Sequence, residues 1–227
     1  MALTQEHLAR LSAFVAKYDA KDKLTGLLQY GAMFLADGQP GVAKNVQARM
    51  AASRRVFRVL NETNPAKAMM AKPGLGQGPL VLEVLEKVKL ISFAGYCVGN
   101  HTAFLGEVGF LQDKELTANA GKASLWGWCL SSLAGALIEA YHIAHMAAAR
   151  REGEDEAAWR ARKAAAQAEL NTRLLTMVHG LSMVLLSLGL LQKIPLRQRT
   201  MGALGVFSSA VSCYRMFPPS AAKHKTA

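Results

Sequence analysis

Apolar residues recur along this chain at intervals of three and four, and no stretch alternates with period two. That spacing predicts helices throughout and an all-α fold. In residues 3–36, Leu24, Leu27, Leu28, Gly31, Phe34 and Leu35 fall at helical spacing, which predicts one or two amphipathic helices before the breaker Asp37-Gly38-Gln39-Pro40-Gly41. A second helix is expected over residues 42–61. Asn64-Pro65 opens a linker that closes on the Pro/Gly-rich run at 73–79. Val81, Val84, Leu85, Val88 and Ile91 start a third helical stripe. Four segments are apolar enough to be membrane helices or core helices: 90–105, 125–146, 174–191 and 201–214. Between them, residues 150–173 carry dense charge and belong in water. The organisation expected is an N-terminal amphipathic region (1–63), a linker (64–79), membrane-associated helices (80–149), a charged segment (150–173), an apolar helix pair (174–217) and a basic tail (218–227).

The segment at 42–61 is the most informative. At 100° per residue, Val46, Met50, Phe57 and Leu60 gather with Val42 on one side, and Lys44, Arg54, Arg55 and Arg58 on the other. Arg49 falls within the apolar side. A basic amphipathic helix can lie in the headgroup zone of a membrane, apolar side down and cations on anionic lipid. The same pattern also describes a surface helix packed on a protein core.

Composition narrows the class. The chain of 227 residues is 51% hydrophobic and 19% charged, with a net charge of +11. Aromatics make up only 7%, and Arg54, Arg55 and Arg58 lack interleaved stacking rings beyond Phe57, so no nucleic-acid partner is expected. The basic turn at 192–199 beside two apolar segments points to a cytoplasm-facing loop. Gly180, Gly189, Gly202 and Gly205 are small residues of the kind that let membrane helices pack closely. The first residues lack the apolar run of a secretory signal, and the last three are not a peroxisomal S-K-L tag, so any membrane targeting is expected from internal segments.

No catalytic constellation is present. There is no G-x-S-x-G, Walker lysine, dinucleotide fingerprint or H-E-x-x-H. Glu139, His142 and His145 form a single E-x-x-H-x-x-H, and His179 is a further imidazole. Di-iron bundles need such motifs from two helices, so no metal and no cofactor is assigned. Polar residues in apolar helices can also line a water path, which leaves a pore as an alternative.

Several blocks resemble the peroxisomal biogenesis factor 11 family. The first is Asp22-Lys23-Leu24 with Leu28-Gln29-Tyr30-Gly31. The second is Ser53-Arg54-Arg55-Val56-Phe57-Arg58, similar to the family's basic amphipathic motif. Asn100-His101 with Glu107-Val108-Gly109-Phe110 resembles its central segment, and the stretch around Gly202 and Gly205 its last apolar helix. The resemblance implies an integral membrane helical bundle with N-terminal amphipathic helices, in the peroxisomal or glycosomal membrane, with both ends cytosolic and so an even number of crossings. It further implies membrane elongation before division, self-association, and recruitment of fission factors including a dynamin-related GTPase. In that reading Val46, Met50, Phe57 and Leu60 are the wedge in the outer leaflet. Lys44, Arg54, Arg55 and Arg58 hold it to anionic headgroups.

Overall fold

The computed structural model describes residues 4–146 and 155–219, all of them helix or connecting turn. The helices are α1 (Gln5–Val15), α2 (Tyr18–Ala36), α3 (Val42–Val56), α4 (Thr63–Ala71), α5 (Leu80–Glu107), α6 (Lys114–Ala144), α7 (Glu156–Leu190) and α8 (Gln198–Met216). Their ends follow local chemistry. The Thr4, Asp113 and Asp155 side chains accept backbone N–H groups at the starts of α1, α6 and α7. α2 stops where Asp37 (φ 45°) and Gly38 (φ 83°) turn left-handed, which reverses the chain into α3.

Two long segments differ from the composition-based divisions. α4 fills the first half of the linker. The charged stretch after residue 155 does not end before the apolar run; both form α7, a single helix of 35 residues. Residues 147–149 of the membrane-associated region, 150–154 of the charged segment and the basic tail from 220 lie outside the described residues.

The helices close into a ring. α3 packs on α2, α2 on α8, α8 on α7, α7 on α6, α6 on α5, and α5 returns to α3. α1 lies outside α2 and is tied to the far end of the chain: the Arg10 guanidinium donates to the Pro218 carbonyl, and Phe14 meets Phe217 at 5.4 Å. The α2–α8 seam approaches closely at Gly202 and Gly205. A Cβ on Gly202 would collide with the Phe34 backbone, and one on Gly205 with the Tyr30 ring.

Small residues and hydroxyls fill much of the interior around a core of Tyr30, Met33, Leu186 and Met201, while many large apolar side chains point out. Buried positions include Ala134, Ala136, Ser131, Ser182, Ser187 and Gly189. Exposed ones form helical stripes: Val81, Val84, Val88 and Ile91 on α5; Trp126, Leu130, Leu133 and Leu137 on α6; Leu174, Val178, Leu181 and Leu185 on α7. A water-soluble monomer rarely exposes apolar surface so continuously. Close-packed small residues inside and aliphatic side chains outside are what helices need when the surroundings are hydrocarbon. α7 is long and apolar enough to cross a membrane. Among the described residues it is the one helix that is: Asn100 and His101 interrupt the apolar run of α5, Ser131, Ser132 and Glu139 that of α6, and α8 has 19 residues with several hydroxyls.

Candidate functional site

The two blocks of sequence singled out near the N-terminus meet in space. Asp22, Gly26 and Tyr30 lie four residues apart on one face of α2, and that face is buried. A buried carboxylate has to be met by cations. α3 supplies them. Arg54 Nε donates to Asp22 Oδ1 at 2.9 Å, and Arg58 Nε donates to the same oxygen at 3.0 Å. Lys23 Nζ donates to Oδ2 at 2.9 Å. The second arm of Arg54 donates to Gln29 Oε1 at 2.8 Å. The guanidinium of Arg54 lies over the Tyr30 ring at 5.3 Å and that of Arg58 over Tyr96 of α5 at 5.6 Å. Gly26 makes room, since a Cβ there would lie 3.2 Å from the Arg54 guanidinium carbon.

Burial alone would raise the Asp22 carboxyl. The charges of Lys23, Arg58 and Arg54 outweigh it and hold the group well below the usual carboxylate range. Removing one partner of such a buried pair typically costs about 3–5 kcal/mol, because the remaining charges stay in a poor solvent. Arg55 pairs with Glu107 of α5, and His101 of α5 meets the Arg58 carbonyl at 3.1 Å. The basic segment is thus an anchor between α2 and α5.

This arrangement changes the expected roles of the segment at 42–61. Arg54 is 6% exposed and Arg58 is nearly covered, so in this structure neither faces a lipid headgroup. Lys44 and Arg55 lie on the same inward-turned side and are partly covered. The reason is Asp22: a desolvated carboxylate gains more from two guanidinium groups than lipid headgroups at the water boundary offer. The apolar side is the free one. Val42 is 81% exposed, Val56 58% and Leu60 64%, with Val46 beside them; Met50 and Phe57 are half-buried at its edge. Exposed Arg49 sits among these residues. Lys23, Gln29 and Tyr30 of the first block take part in the anchor, Leu24 and Gly31 are partly covered, and Leu28 faces out.

The polar residues of the apolar helices are also engaged. Glu139 accepts from Arg173 at 3.1 Å, His145 stacks on Tyr141, and Ser208 and Ser212 lie within hydrogen-bond distance of His179 Nε2. Among the described residues no cluster of three His, Cys, Asp or Glu could hold a metal. The ring leaves a half-open cavity of about 640 Å³, lined by α2, α3, α5, α6 and α7 with Arg215 of α8. The role of Tyr96 has no marker in the sequence, and that of His101 only its place in the central family block. Asp22 is marked only by its family block, because Asp19 is a second acid on the α2 face that carries Gly26 and Tyr30.

The peroxisomal biogenesis factor 11 family profile matches residues 8–217, nearly the whole chain including the anchor and the ring. The chain belongs to that family. It is 31% identical over 222 residues to peroxisomal membrane protein 11C of Arabidopsis thaliana, covering 95% of this chain and 94% of the relative. It is 30% identical to peroxisomal membrane protein 11E of the same plant, covering 95% and 94%. Peroxisomal membrane protein 11-1 of Oryza sativa subsp. japonica is 28% identical, covering 96% and 94%. No solved structure matches. Membership gives this factor 11 chain a place in the peroxisomal membrane and a role in peroxisome biogenesis. It also accounts for the outward aliphatic stripes.

Proposed function

We propose that this factor 11 chain curves and elongates the peroxisomal membrane, self-associates there, and gathers the fission machinery, including a dynamin-related GTPase, so controlling peroxisome number. It does so without catalysing a reaction, and with both termini cytosolic. The observation that carries the reading is the outward apolar side of α3, with Val42, Val46 and Val56 continued by Val59 and Leu60. Seated in the cytosolic leaflet, that side expands one leaflet relative to the other, which favours curvature. Arg49 is the cation placed to meet an anionic headgroup.

The test uses the full chain reconstituted into anionic vesicles and viewed by electron microscopy. Wild type should draw tubules, and Val46→Glu/Leu60→Glu should leave the vesicles round while inserting equally well. Tubulation by the variant equal to wild type would sink the wedge reading. A second reading, a metabolite pore, is favoured by the cavity within the ring. Single-channel conductance in planar bilayers, altered by Glu139→Gln, would support it; a silent bilayer at high protein load would remove it.

A further inference from the structure

The wall of the cavity is one-sided in charge. Lys23, Arg54 and Arg58 share the single carboxylate of Asp22. Lys122 and Arg215 also line it, are exposed at its margin, and make no ion pair among the described residues. Glu139, the carboxylate of the wall, is already taken by Arg173. Unmatched positive charge beside a low-dielectric cavity attracts an anion more strongly than the same charge in water. Much of the remaining wall is apolar or aromatic: Phe93, Leu125, Trp128, Ile138 and Met183. A small hydrophilic anion would leave those surfaces unsatisfied. The cavity's volume falls within the range of sites that take small ligands, roughly 300–1,000 Å³.

We propose that the cavity is a binding site for an anionic amphiphile, with its head among the Lys23, Arg54, Arg58, Lys122 and Arg215 cations and its acyl chain along the apolar wall. The head chemistry is shared by an anionic phospholipid and a free acyl carboxylate. The inference rests on the cavity and not on the wedge reading of α3.

The experiment is native mass spectrometry of the full chain released from nonionic detergent after incubation with dioleoyl phosphatidylglycerol, dioleoyl phosphatidylcholine or oleate. One molecule of phosphatidylglycerol or of oleate should be retained per chain, at least about tenfold in preference to phosphatidylcholine, which is about 1.4 kcal/mol. Which of the two is kept names the source. Lys122→Glu/Arg215→Glu changes only exposed positions and should weaken retention about tenfold. Met183→Trp narrows the cavity without touching a charge and should weaken retention about tenfold at unchanged helix content. Equal retention of phosphatidylcholine would overturn the proposal. So would Met183→Trp that keeps the lipid as well as wild type does, since the ligand would then be held on the surface of a chain of net charge +11. Tubulation of vesicles by Met183→Trp, measured alongside, separates this site from the wedge: weakened retention with intact tubulation leaves both readings standing on their own evidence.

Discussion

The α2–α3 contact and the α6–α7 contact bury opposite kinds of chemistry. Between α2 and α3 the buried face is ionic: one carboxylate, two guanidinium groups and a glycine that admits them. Between α6 and α7 it is small and nearly neutral. Gly180 rests against Ala136 and the Ser132 carbonyl, and the Ser182 and Ser187 hydroxyls donate to carbonyls of their own helix. Both contacts leave aliphatic side chains facing out. What differs is how the inside is held, and so how each can be broken. An ionic contact fails when one charge is removed. A close-packed contact fails when volume is added.

The largest effect should come from Asp22→Ala. It leaves Arg54 and Arg58 buried without a counter-charge, and we expect a loss of about 3–5 kcal/mol. Limited trypsin digestion reads it directly, with cleavage after Arg54 and Arg58 appearing at short times. A digestion pattern identical to wild type would show that the anchor contributes nothing.

Acid should weaken the same contact by degrees. The folded Asp22 carboxyl titrates below its unfolded value of about 3.9. Its contribution is therefore complete above that range and is lost as pH falls below it toward the folded value. Relative to the intrinsic exchange rate at each pH, α3 amides should lose protection between about pH 4 and pH 3 while α7 keeps its own, and Asp22→Asn should abolish that difference. Protection falling equally in both helices would mean that the acid response lies elsewhere.

Gly180→Leu tests the other contact. A leucine there has to displace α6, at a cost of about 1–3 kcal/mol, seen as a lower melting temperature in detergent with the tryptic pattern of α3 unchanged. Arg173→Ala should matter least. Its pair with Glu139 is partly exposed and worth less than about 1 kcal/mol. A drop in melting temperature as large as that of Gly180→Leu would place the strength of the α6–α7 contact in the ion pair.

Much of this was legible along the chain. The helical period, the turn at residues 37–41, the apolar segments and the family blocks all rest on interactions between residues a few positions apart, which set helix, cap and turn. The anchor was only half visible. Asp22 and the arginines of α3 each stood out, but 32 residues separate Asp22 from Arg54. A helical wheel tells which side chains share a face and not which face meets a neighbour. For α3 that distinction turned Arg54 and Arg58 inward, away from the headgroups, and left the valines outward. The joining of the charged stretch to the apolar run in α7 was hidden for a related reason, since composition changes there while the helical backbone does not. The sequence determined an all-α chain of amphipathic and apolar helices, because those choices are local. The tertiary structure decided which side of α3 is free, that the ring closes around a cavity, and that small residues lie inside it. Each of those depends on a long-range balance of desolvation, ion pairing and close packing.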